Sequence, residues 1–261
     1  MSTTGWERVG PLWPSILATA RCEFMRLYRI PGFSIPIIAF PVMFYALFGL
    51  PWARQHINGV DVGDYLLASF GTYAVITVAL FAFGVTVSND RASKTTLLMR
   101  ATPMSPLAYL GGKIIATLFF SFVAIVALIA FAFVTHGVDF EPLTWLGLTL
   151  RLLVGVFPFI TLGFAVGYLA GPNSAIAILQ LINLPMSFAS GLFVAMPNMP
   201  AYVRASATFL PAFHLGELAW GAIGAPVEPA FVSIAWLGGF TVVFAVIALR
   251  AYYREETKTF G

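Results

Sequence analysis

Residues 65–89 run for 25 positions without a formal charge, and residues 114–138 do so again. An α-helix rises about 1.5 Å per residue, so about 20 apolar residues cross a bilayer core. Each run is long enough, and a soluble fold has no place to hide two of them. The rest of the chain agrees: 59% of its 261 residues are hydrophobic and 10% are charged, against about 25% charged in soluble domains. The sequence therefore predicts an all-α integral membrane protein. The net charge of +3 does not point to nucleic acid, because the basic residues flank the apolar runs, where membrane orientation accounts for them. Cys22, the single cysteine, cannot form an internal disulfide. The first 29 residues do not read as a cleaved signal peptide, since Glu7, Arg8, Arg21, Glu23, Arg26 and Arg29 interrupt any apolar core.

Hydropathy and turn signals divide the chain into six predicted spans, at about 33–52, 65–87, 110–135, 143–170, 174–196 and 229–249, forming a single transmembrane domain over 1–261. Pro36 and Pro41 fall inside the first, Arg151 inside the fourth and Pro185 inside the fifth. Gly171-Pro172-Asn173 is a strong turn signal between the fourth and fifth. With both termini in the cytoplasm, the inner segments hold eleven Lys/Arg and the outer segments hold Arg54 and Arg204, the asymmetry expected of that orientation.

Three segments outside the spans carry information. Residues 15–29 place Ile16, Leu17, Ala20, Phe24, Leu27 and Tyr28 at helical spacing, with Thr19, Glu23, Arg26 and Arg29 largely on the other side. A basic amphipathic helix directly before a span is expected to lie in the inner interface, against membrane lipid. Residues 88–113 form a polar island with Arg91, Lys94, Arg100 and Lys113 against one acid, Asp90. A short helix over 95–100 is predicted there, stopped at Thr102-Pro103 and again at Pro106. Residues 197–228 are moderately apolar and broken by Pro197, Pro200, Pro211 and Pro226. Their apolar pieces are too short to cross and are expected to be interfacial or re-entrant.

Taken in order, these residues resemble the type-2 ABC-transporter permeases. The resemblance rests on Asp90-Arg91, Thr96-Leu97-Leu98, Arg100-Ala101-Thr102-Pro103, Pro106, Tyr109-Leu110 and Gly112-Lys113 in the island. It continues at Glu23, Arg26, Arg29 and Pro31, then Leu184-Pro185, Ser190-Gly191-Leu192-Phe193, Met199-Pro200, Leu210-Pro211, His214 and Glu217-Leu218. The island departs from the Glu-Arg-Glu-x-Gly-Thr run common in that family, reading Asp90-Arg91-Ala92-Ser93-Lys94-Thr95. The resemblance implies that 88–109 is a cytosolic elbow docking on an ATPase through Asp90, Arg91, Lys94, Thr95, Leu97, Leu98, Arg100, Thr102 and Pro103. It implies an interface helix carrying Glu23, Arg26 and Arg29. Spans one, two and five would line a path, with Pro41, Arg151, Pro185, Ser190, Pro211, His214 and Glu217 as path or outer-gate candidates. It further implies a second permease copy and two cytosolic ATP-binding subunits that hold ATP and magnesium, in the plasma membrane (the inner membrane of a bacterium). Relatives carry drugs, lipid-linked glycans and lipopeptides, and the 25 Phe residues favour an amphipathic, lipid-like or drug-like cargo.

The chain itself shows no nucleotide loop: Gly112-Lys113 has Leu107 where the motif needs Gly and Ile114 where it needs Ser or Thr. His56, His136 and His214 are dispersed and no HExxH occurs, so no metal or cofactor site is expected. The competing reading is an intramembrane enzyme or sensor using Ser190, His214 and Glu217, although no Gly-x-Ser-x-Gly elbow accompanies Ser190. For Arg151, two readings stand: snorkelling to the outer headgroups, or pairing with Glu217 to hold an outer gate shut.

Overall fold

The computed structural model describes residues 11–57, 59–93, 95, 105–136 and 141–260. Among the described residues, five stretches are helical and apolar enough to cross a membrane: Ile35–Trp52, Val62–Ala92, Pro106–Thr135, Pro142–Leu169 and Ala230–Glu255. The chain is a multi-pass, all-α membrane protein, apart from a two-residue hairpin that pairs His56–Ile57 with Val60–Asp61.

Helix α1 (Leu12–Tyr28) precedes α2 (Pro31–Phe44), which starts on Pro31, a position where no backbone N–H is needed. Pro36 and Pro41 remove two donors from α2, and the helix then widens into a π turn at Tyr45–Gly49 and tightens at Leu50–Trp52. Helix α3 (Val62–Ala92) is followed by α4 (Pro106–His136). The fourth apolar stretch is two helices, α5 (Pro142–Val154) and α6 (Phe157–Leu169), divided at Gly155 just ahead of Pro158. Helix α7 (Pro172–Ala189) is shorter than the predicted fifth span: it ends where Gly191 turns to φ +82°, a conformation that favours glycine, and the chain through Ala195 is irregular. Asn173, Gln180 and Asn183 also make it more polar than the five. Two short helices, α8 (Ala201–Ala207) and α9 (Pro211–Trp220), follow. The last helix, α10 (Ala230–Phe260), runs 11 residues past the predicted end of the sixth span, because nothing in 250–260 breaks a helix.

Helix α3 is the axis of the molecule. It touches α2, α4, α6, α7 and α9, and its apolar window is 94% buried, against 22% for Ile35–Trp52 and 17% for Ala230–Glu255. It approaches α6 closely because glycine lines the seam. A Cβ built on Gly163 would lie 2.9 Å from the Leu80 carbonyl oxygen, and one on Gly167 would lie 3.0 Å from the Gly84 carbonyl. Gly163 and Gly167 are four residues apart on one face, the small-xxx-small pattern that brings membrane helices into backbone contact.

Hydroxyl groups fasten other helices to α3. Ser69, Thr72, Thr77 and Thr86 each donate to the carbonyl four residues earlier, so their oxygens keep lone pairs for acceptance. Trp220 of α9 donates its indole N–H to Ser69 Oγ at 2.9 Å, with its ring stacked on Tyr65 at 4.9 Å. Asn183 of α7 donates to Thr77 Oγ1 at 3.0 Å, and Lys113 of α4 to Thr86 Oγ1 at 3.0 Å.

Candidate functional site

Two groups of residues stand out, at opposite ends of α3. The first gathers where α1, α3 and α4 meet. Helix α1 turns Thr19, Ala20, Glu23 and Leu27 inward, while Trp13, Leu17 and Tyr28 face outward. Its acidic residue thus lies on the protein side, and Gly112 of α4 leaves room for the contact, since a Cβ there would stand 2.8 Å from the Ala20 nitrogen. Into this contact project two acids and two cations. Arg26 Nη1 lies 2.5 Å from Asp90 Oδ1, and Lys113 Nζ lies 2.8 Å from Glu23 Oε1 and 3.0 Å from Asp90 Oδ2. Tyr109 adds a hydroxyl donor to Asp90 Oδ2 at 2.8 Å. Asp90 and Lys113 are each 2% exposed and Glu23 is 6% exposed. The charges sum to zero, which is what makes their burial tolerable. For Arg26, burial opposes the charge, but Asp90 outweighs it and holds the guanidinium above its ordinary pKa.

Arg91, the next residue, faces away from this cluster. Its Nη1 donates to the Gly167 carbonyl at 2.8 Å and the Ala170 carbonyl at 3.3 Å, its Nη2 to Glu255 at 2.7 Å, and its guanidinium lies 5.4 Å from the Tyr168 ring centre. A cation set on the last carbonyls of α6 is favoured by the helix dipole. Ser88 donates to the same Ala170 carbonyl at 3.2 Å.

Asp90 and Arg91 thus bond to the chain's own helices. Thr95 shares a hydrogen bond with Ser93 at 2.8 Å. Lys94, Leu97, Leu98, Arg100, Thr102 and Pro103 lie outside the described residues. Arg29 is exposed at the end of α1.

The second group surrounds α9, all ten residues of which are buried. His214 uses both ring nitrogens, Nε2 on the Thr208 carbonyl at 2.9 Å and Nδ1 on Ser233 Oγ at 3.4 Å, and its ring stacks on Trp236. Glu217 Oε2 accepts the backbone N–H groups of Val227 and Glu228 at 2.8 and 2.9 Å. Arg151 does not pair with Glu217: its Nη1 donates to the Leu218 carbonyl at 3.3 Å, near the end of α9. Ser190 is buried at the end of α7, and its Oγ has no hydrogen-bond partner among the described residues. Among the described residues, no hydrogen bond links it to His214. Pro41 and Pro211 are buried and Pro185 is exposed on α7. Among the described residues, no three His, Cys, Asp or Glu side chains gather to hold a metal.

Between the two groups, Phe193 sits in the irregular segment after α7 and meets five rings. Phe188 is stacked at 4.2 Å, and Phe44, Phe70, Tyr73 and Phe48 lie at 5.2 to 6.4 Å. The chain positions this hub by the positive φ of Gly191.

Thr86, Tyr109, Lys113, Trp220 and Phe193 are site residues that the sequence reading gave no structural role. Lys113 had a usable signal: a lysine at the start of an apolar helix needs a counter-charge, and Glu23 and Asp90 are the nearby acids not adjacent to water-exposed runs.

The chain is a bundle of apolar helices around a buried axis, fastened at one end by ions and at the other by a short buried helix. Residues 55–250 match the family of ABC-2 family transporter proteins, and the chain belongs to that family. It is also similar to a Bacillus subtilis (strain 168) protein named "Putative transport permease YvfS", with 21% identity over 240 residues that span 90% of this chain and 95% of that one.

Proposed function

We propose that this chain is the membrane subunit of an ABC exporter that moves an amphipathic, lipid-like or drug-like cargo across the plasma membrane, driven by a separate ATPase. It works as one of two permease copies with two cytosolic ATP-binding subunits, which hold the ATP and magnesium. In this reading there are six spans, α7 with the irregular segment after it serving as the fifth. Both termini are cytosolic, and 197–228 re-enters the membrane from outside.

The observation that carries the coupling role is the fastening of the end of α3. The elbow at 88–109 begins on Asp90 and Arg91, which tie to α1 and α4 on one side and to α6 and α10 on the other. A push on the elbow thus reaches four helices through two adjacent side chains. At the outer end, the ring cluster on Phe193, between α2, α3 and α7, supports a closed outer gate, the three helices being those that would line the path.

The test is co-purification and stimulated ATP hydrolysis. The chain, expressed with candidate soluble ATPases, is expected to retain one of them, and reconstituted complex is expected to hydrolyse ATP faster with cargo. A chain that retains none of the candidate ATPases, and transports without nucleotide, would defeat the proposal.

A further inference from the structure

Glu217 is a buried acid without a counter-charge. Its residue is 2% exposed. Two backbone N–H groups satisfy Oε2, but Oε1 has no donor among the described residues, and the buried Oε2 of Glu228 has none either. The Glu228 N–H itself reaches the Glu217 carboxylate, which ties α9 to the segment leading into α10. The ion pairs among the described residues include neither Glu217 nor Glu228. The surrounding charged and titratable groups are otherwise engaged. Arg151 of α5 is on the Leu218 carbonyl, His214 of α9 on Thr208 and Ser233, and Tyr65 of α3 is stacked on Trp220. An ionised carboxylate buried this way is costly, whereas a neutral carboxyl supplies the O–H donor that the site lacks.

We propose that Glu217 carries a proton while α9 is packed as it is here, and that this neutral carboxyl latches α9 to the segment leading into α10. Burial raises Glu217 above the ordinary carboxylate range, the two backbone N–H groups oppose this, and the charge of Glu228 adds to it. A carboxyl whose pKa is raised on folding stabilises the closed form while protonated, and that contribution is lost as pH rises through the raised value. Acid therefore holds the latch. Alkali transfers the proton to solvent and leaves a carboxylate one residue from the carbonyl that Arg151 now occupies. The latch is a property of this chain alone; that it governs an outer gate rests on the transport reading, and the test needs neither ATPase nor cargo.

The test uses purified chain in lipid nanodiscs, with Cys22→Ser as background. Ala225→Cys, at a position 4% exposed, reports opening, and Val227→Cys, at a position 62% exposed, reports the ordinary ionisation of an open thiol. Their rates with a polar thiol reagent are compared from about pH 5 to about pH 9. The Ala225-to-Val227 rate ratio is expected to rise with pH, by at most about tenfold per unit for one proton released, and to stay flat in Glu217→Gln. A flat ratio with Glu217 intact, or an unchanged rise in Glu217→Gln, overturns the proposal. If Glu217→Gln does not insert, infrared spectra of the unsubstituted chain decide. A protonated-carboxyl band that disappears with rising pH supports the protonated latch, and its absence at acid pH refutes it.

Discussion

Asp90 and Arg91 are consecutive residues that bind opposite halves of the bundle. Asp90 accepts from Arg26, Tyr109 and Lys113 on the side of α1 and α4, while Arg91 donates to Gly167, Ala170 and Glu255 on the side of α6 and α10. Neighbours on a helix point about 100° apart, which follows from 3.6 residues per turn, and here that angle spans two helix pairs. The end of α3 is a junction, and its residues act through the fold.

Removing one charge from the α1–α3–α4 cluster should cost more than removing a matched pair. Lys113→Met leaves two acids with one cation in a buried site, a loss of about 3–5 kcal/mol by analogy with broken buried pairs. Adding Asp90→Asn restores neutrality and should recover part of that loss. Thermal unfolding of the three proteins in one detergent measures it. A double variant less stable than Lys113→Met would show that neutrality is not what holds the cluster.

The seam between α3 and α6 should reject even one methyl group. Gly163→Ala would place a Cβ 2.9 Å from the Leu80 carbonyl, against backbone that cannot yield locally. Overpacking of this kind costs about 1–3 kcal/mol. Gly147→Ala, on α5, where a Cβ would meet nothing within 4 Å, is the control. A Gly163→Ala melting temperature equal to that of the control contradicts the close crossing.

The proposed orientation is open to labelling. With Cys22 replaced by Ser, a single cysteine at His136 or Asn198 should react with an impermeant thiol reagent in intact cells. One at Ser93 or Lys258 should react only after permeabilisation. Reaction at Ser93 from outside would reverse the orientation and detach the elbow from any cytosolic ATPase.

Arg151 and Glu217 should not rescue each other. The guanidinium reaches the Leu218 carbonyl and the carboxylate is held by backbone N–H groups. Arg151→Glu and Glu217→Arg are each expected to impair transport in reconstituted complex, and the double reversal to remain impaired. Recovery in the double reversal would mean that the two side chains pair in a working state.

Much of the spanning architecture was legible because uncharged length is a strong signal: 65–89 lies within α3 and 114–136 within α4. Over 174–196 the helix runs only through Ala189, because apolar composition does not record backbone geometry and Gly191 ends the helix by its φ. The continuation of α10 was hidden by its charges, which mark a membrane boundary without breaking a helix. The cluster was half visible. Charge counting found Glu23, Arg26, Asp90 and Lys113, but which of them turn inward depends on helices 64 and 90 residues apart in sequence. The glycine pair on α6 was readable from its spacing, and Trp220 became informative only beside Ser69.

The hydroxyls of α3 bear on biogenesis. This helix leaves the ribosome before α4, α7 and α9 exist, and until they arrive its polar groups face lipid. Ser69, Thr72, Thr77 and Thr86 wait without penalty because each is already bonded to its own helix. Their remaining lone pairs then receive Lys113 from α4, Asn183 from α7 and Trp220 from α9, in the order in which translation delivers them. The axis of the molecule is thus inserted as a self-sufficient helix and recruits its neighbours one by one, so a stalled nascent chain ending after α4 should already hold its lysine clasp.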